Sequence, residues 1–169
     1  NYNVQMVALS DVCEILKGKN IPKKKRIING NFNYYGSNPS KGNSGKVNNF
    51  NYNGEYILMG DQGSQWFNSI TKIKGKFYAS NHTLVIKPKI KNLNYNYIYL
   101  YLKFKNLKIF NKESAMIPEI NLRKFEKFKI PLPSLEIQQE IVDELSNIEK
   151  NIETINMRIL QMKNEKEQI

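Results

Sequence analysis

The sequence predicts an α+β protein in two parts: a strand-rich head over residues 1–133 and a long C-terminal coiled-coil helix over residues 134–169. Three observations carry that reading. From residue 141 the apolar side chains stand alternately four and three apart, at Ile141, Leu145, Ile148, Ile152, Ile155, Ile159 and Met162, then, past an interrupting Lys166, at Ile169. That spacing averages 3.5 residues, the period of helices that wrap around another helix. Before Pro131 the chain is instead a series of short aromatic segments punctuated by Gly and Asn. The charge divides at the same place. Residues 1–130 hold 22 Lys and Arg against 7 Asp and Glu, a net of +15, whereas residues 131–169 hold 4 against 8, a net of −4.

Taken in order, VQMVALSDVCEILKGK predicts a short helix, capped by Ser10 or Asp11, running through Leu16 and ended by Gly18. Pro22 and the Asn29-Gly30 turn bound a cationic segment, Lys23, Lys24, Lys25 and Arg26. Phe32, Tyr34 and Tyr35 follow, then a Gly-rich loop, GSNPSKGNSGKV. EYILMG is a buried strand closed by the polar loop DQGSQW. Residues 69–79 alternate like a hairpin with Lys74-Gly75 at its turn, and HTLVIKPK is a further strand ending at Pro88. Residues 94–110 suit a helix, because Tyr97, Leu100, Tyr101, Phe104 and Leu107 share one face. After Leu122–Phe128 comes the strand-like KFKIPLP. Pro131 and Pro133 exclude helix there, and Ser134 is placed to cap the stalk.

Composition narrows the class. With 40% hydrophobic and 11% aromatic residues, the 169-residue chain fills one core and carries the stalk besides. No apolar run reaches the roughly 20 residues of a membrane span. Cys13 is the single cysteine, which excludes an internal disulfide and a cysteine zinc cluster and fits a cytoplasmic protein. The chain opens on Asn1 rather than Met, so an excerpt or processed product is expected. The one histidine, His82, excludes His-based triads and multi-His metal sites. The seven carboxylates of the head form no close set for a metal, so neither catalysis nor a metal site is expected. Asn38-Pro39-Ser40 lacks the second proline and the aromatic residue of an amino-methyltransferase motif.

A head at +15 calls for a polyanion, of which nucleic acid is the commonest. An AT-rich genome accounts for part of a Lys-, Asn- and Ile-rich composition, but not for the acidic stalk. Lys23, Lys24, Lys25, Arg26, Lys41, Lys46, Lys72 and Lys74 are the candidate phosphate contacts. Candidate base-reading residues lie on the polar loops: Tyr34, Tyr35, Ser37, Asn38, Asn43 and Ser44, then Gln62, Ser64 and Trp66. Trp66 serves alternatively as a lid on the core, and His82 as a structural hydrogen-bonding residue.

Four blocks, VALSDVCEILKGK, FNYYGSNPSKGNSGKVNNFNYNGEYILMGDQGS, GKFYASNHTLVIKPK and INLRKFEKFKIPLPSLEIQQEIVDELSNIE, together resemble the specificity subunits of type I restriction–modification systems. The last is the most telling, with Ile-Pro-Leu-Pro followed by Ser-Leu-Glu-x-Gln-x-x-Ile-Val and a heptad helix. The resemblance covers nearly the whole chain. It implies a mixed-sheet target recognition domain that reads one half of a bipartite site in double-stranded DNA. The helix would be a spacer pairing antiparallel with that of a second recognition domain or a second copy. Such a subunit has no catalysis or cofactor of its own; it positions methyltransferase subunits, which bring S-adenosylmethionine, and in the full system a restriction subunit. The family's loop positions add Asn81, His82, Ser114 and Asn121 to the candidate base contacts, while Met116 and Pro118 depart from the Gln and Gly common there. The alternative is a structural adaptor that binds nucleic acid without reading its sequence.

Overall fold

Continuous apolar runs buried on both faces of the sheet explain the centre of the head. The computed structural model describes residues 4–25, 29–113 and 115–166; Arg26, Ser114 and Ile169, and the side chain of Lys25, lie outside the described set. Its elements are β1 (Gln5–Ala8), α1 (Leu9–Val12), β2 (Cys13–Lys17), β3 (Phe32–Tyr35), β4 (Lys46–Val47), β5 (Tyr52–Gly60), β6 (Ile70–Ala79), β7 (Thr83–Pro88), α2 (Tyr95–Phe104), α3 (Leu122–Glu126), β8 (Lys129–Leu132) and α4 (Leu135–Lys166). Short 3-10 turns stand at Lys23–Lys25, Pro39–Lys41, Trp66–Asn68 and Leu107–Phe110. The main sheet has the order β2-β7-β5-β6-β3-β4, antiparallel except where β3 runs parallel to β6, so it is mixed. Side chains alternate across a strand. Ile57, Met59, Leu84 and Ile86 therefore face the main core with α2 and Trp66, while Leu58 and Val85 face a second cluster with Tyr35 and Phe77.

That second cluster is closed by the sheet itself. Gly54 and Gly75 face each other across β5 and β6, with φ of 143° and 100°. Side chains rarely adopt such angles, and the facing pair gives the ribbon a point at which to bend. The chain just after β2 consequently meets the end of β6, with β7 and β5 between the two strands in the sheet: Lys19 N–H donates to Ala79 O at 3.0 Å, and the Tyr52 hydroxyl at the start of β5 donates to Lys17 O at 3.0 Å.

Three sequence expectations change here, one being that the helix expected over residues 94–110 ends at Phe104 and Leu107–Phe110 forms a separate 3-10 turn. The helix expected through Leu16 stops at Val12, and Cys13–Lys17 pairs antiparallel with β7 instead, since tertiary strand pairing overrides weak local preference. Residues 70–79 are one strand rather than a hairpin, with Gly75 at the bend and the real turn in the Asp61–Ser69 loop.

The stalk is fixed to the head at its root. β1 pairs with β8, the strand just before α4, so the start of the head is tied to the base of the helix. Ser134 Oγ accepts from Ile137 N–H at 3.5 Å as the expected cap. Buried Gln138 donates through Nε2 to Asn92 O at 2.9 Å and Pro133 O at 2.8 Å, and its Oε1 accepts from Asn94 N–H at 2.7 Å. Asn94 in turn caps α2, accepting from Asn96 and Tyr97 N–H. Val142, Ile141 and Leu145 pack on the main core, and Glu149 pairs with Lys103. The first two seam positions, Ile141 and Leu145, thus contact the head rather than being left for a partner. From Ile148 onward the seam is exposed, at 45–59% for Ile148, Ile152, Ile155, Ile159 and Met162. No helix among the described residues is long and apolar enough to cross a membrane.

Candidate nucleic-acid interface

The polar loops that lie far apart in the sequence converge at one end of the sheet. The 36–44 loop is held by Thr83, whose hydroxyl donates to Gly36 O at 2.8 Å, and by Ser69, whose hydroxyl donates to Asn38 Oδ1 at 2.8 Å. The Gln62–Gln65 segment is joined to the 112–119 loop: Gly63 N–H donates to Pro118 O and Ile120 N–H to Asp61 O, both at 2.8 Å, and Gln62 bridges Glu119. The Asn81-His82 turn meets the same place, where Asp61 N–H donates to His82 O. At the junction Asp61 is 3% exposed and ion-paired with Lys17. Asp61 Oδ1 and His82 Nδ1 stand 3.6 Å apart, too long for a hydrogen bond, and neither atom has another partner among the described residues.

The candidates separate by what each side chain already does. Tyr34, Tyr35 and Trp66 are at most 7% exposed; Tyr34 stacks on Tyr78, Tyr35 packs on Phe77, and Trp66 packs on Phe67. Their rings belong to the core, since strand aromatics are drawn to burial, and they are withdrawn as base-stacking residues. Asn121 is also accounted for, because its Oδ1 caps α3 through Lys124 N–H. Asn38 Oδ1 accepts from both Ser40 and Ser69, and Asn43 Oδ1 from Gly45 N–H at 3.3 Å, so only their amide donors face outward chemistry. Ser37, Ser44 and Ser64 are exposed, Gln62, Asn81 and His82 half-buried, and Asn81 Nδ2 lies 3.1 Å from His82 Nε2.

Among the cations, Lys74 pairs with Glu55 at 2.9 Å, and Lys72 donates to Asn96 Oδ1 at 2.8 Å while lying over Tyr99. Both are engaged between β5, β6 and α2. Lys23, Lys24, Lys41 and Lys46 are exposed and pair with no carboxylate among the described residues. Met116 is fully exposed at the tip of the 112–119 loop. Sequence reading missed a recess of about 250 Å³ beside these loops, lined by Ser64, Trp66, Phe67, Lys108, Asn111 and Pro118. Its lining comes from three separate segments, so no local motif announces it. The described residues include no cluster of three or more metal-ligating side chains.

The described residues thus form a mixed-sheet head with polar loops gathered at one end and a long, largely exposed helix at its base. The sequence profile described as "Type I restriction modification DNA specificity domain" matches residues 1–164, and the chain belongs to that family. It is 30% identical over 153 residues to a Mycoplasma pneumoniae protein named as a type I specificity subunit, S.MpnORF285P, covering 89% of this chain and 49% of that protein. It is 33% identical over 144 residues to the Haemophilus influenzae specificity subunit S.HindORF215P, covering 82% of this chain and 36% of that one. The chain therefore spans half or less of these relatives. In fold it is similar to the type I S subunit of M. genitalium, with a TM-score of 0.71, 18% identity and coverage of 91% of this chain and 41% of that one. The HsdS subunit of Thermoanaerobacter tengcongensis gives a TM-score of 0.72 at 17% identity, over 90% of this chain and 39% of that one.

Proposed function

We propose that this chain reads one half of a bipartite site in double-stranded DNA and positions adenine methyltransferase subunits on it, with no catalysis of its own. S-adenosylmethionine belongs to those methyltransferase partners, and a restriction subunit joins them in the full system, in the cytoplasm. The exposed seam of α4 pairs with the helix of a second recognition domain or a second copy and sets the gap between the half-sites. Residues 1–133 form the recognition domain and 134–169 the spacer. The observation that carries this reading is the convergence of four polar loops at one end of a +15 head. Exposed Ser37, Asn43, Ser44 and Ser64, with Gln62, Asn81 and His82, would face the bases there, and Lys23, Lys24, Lys41 and Lys46 the phosphates.

Selection from random duplex DNA, with the methyltransferase present, tests it. A defined half-site motif is expected, with affinity falling roughly 10³-fold or more between 50 and 200 mM salt if six phosphates are engaged. Binding without any motif would leave only a structural adaptor.

A further inference from the structure

We propose that the recess beside the converging loops is a base-edge pocket that selects a guanine within the half-site, an inference resting on the DNA-reading role above. Two isolated bridges assemble it, Gln62 with Glu119 and Asn111 with Ile120, which bring the segments around residues 64–67, 108–111 and 118 together. Trp66, Phe67 and Pro118 contribute its apolar lining, and Trp66 is 1% exposed, so its ring belongs to a fixed wall. Each of its polar side chains can donate. Lys108 Nζ lies 4.4 Å from the centre of the Phe67 ring and pairs with no carboxylate among the described residues. Asn111 Oδ1 already accepts from Glu119 N–H at 3.1 Å, which leaves its Nδ2 to donate. Ser64 adds a hydroxyl, and no carboxylate lines the recess.

A donor-rich, carboxylate-free recess selects for acceptors. In the major groove guanine presents two neighbouring acceptors, O6 and N7, whereas adenine sets an amino donor beside N7, cytosine presents a donor, and thymine a methyl beside one acceptor. Lysine is a common partner of the guanine edge. A phosphate would also accept from these donors but has no use for aromatic walls. Partial enclosure by those walls strengthens each donor's preference by excluding water.

The full chain with its methyltransferase, selected against random duplex DNA, decides the matter when wild type is compared with Lys108→Ala and Lys108→Gln. Lys108 is exposed, so both variants are expected to melt as wild type does. The expected result is an unchanged motif except at one position, where preference for guanine falls by about tenfold or more. A uniform loss on all sequences with a shallower salt dependence would make Lys108 a phosphate contact, and an unchanged motif would leave the recess without a role. Either overturns the inference while the DNA-reading role stands. If wild type itself yields no motif, that role fails and the pocket falls with it.

Discussion

Gln138 shows how one polar residue fixes the head to the stalk. It is fully buried, and its side-chain amide makes three hydrogen bonds, to Asn92 O, Pro133 O and Asn94 N–H. Replacing it with leucine keeps the volume but strands all three backbone groups. A loss of about 2–3 kcal/mol in denaturant unfolding is expected, because buried groups left without partners cost about 1–3 kcal/mol each and these are partly solvated. Titratable groups at the same scale set an alkaline limit. Burial pushes the Cys13 thiol up from 9.0 to about 12, with nearby Lys89 pulling the other way. Burial likewise raises the Tyr95 and Tyr97 hydroxyls from 10.0 to about 12, helped by Glu55 and Tyr99 at the first and by Tyr101 at the second. Their protons are needed as well, since these hydroxyls donate to Tyr56 O and Pro131 O. The unfolded chain loses these protons first, so the stability they contribute is full below about pH 9 and declines as pH rises through about 12. Thermal melts across that window check the sign, and a thiol reagent at pH 8 is expected to label Cys13 only after denaturation.

Elements were legible from sequence where one local period decides them. The buried apolar runs of β5 and β7 and the proline stop before α4 hold in the structure, and a helix forms at α2, although it ends at Phe104, which is 55% exposed. What failed depends on partners distant in sequence. Cys13–Lys17 becomes a strand through β7, and Gly75 bends a strand because Gly54 faces it. The same distinction runs through the site. Gly, Asn and Ser mark where the loops are, but not that Tyr34, Tyr35 and Trp66 turn inward, nor that Lys72 and Lys74 find partners on α2 and β5. Gly60 joins the two levels, because a Cβ there would lie 2.1 Å from Ser37 O, within the loop proposed to read DNA. Gly60→Ala therefore has to push the 37–44 segment away. The hydrogen bond from Ser44 N–H to Tyr34 O is expected to weaken, seen as faster amide exchange at Ser44 and a lower melting temperature. Unchanged exchange there would mean that the loop is positioned without that contact.

At the scale of the whole molecule, the head and stalk divide the charge and divide the work. A straight helix of 32 residues is about 48 Å long, and its seam leaves the head after Leu145. Isoleucines at five successive exposed seam positions would be a liability in isolation, but Met162 replaces the last, so the run is Ile148, Ile152, Ile155 and Ile159 before it. A contiguous exposed apolar stripe marks an interaction surface, and this one is the surface that the proposed helix pairing would cover. Ile148→Glu with Ile152→Glu places two charges in that seam away from the Gln138 clamp, the second in the recess that Ile152 shares with Lys103 and Glu149. The double variant is expected to keep the melting transition of the head while losing its paired state, measured as molar mass by light scattering. If the mass is the same before and after substitution, the seam does not pair through these residues, and the spacing of half-sites must be set elsewhere.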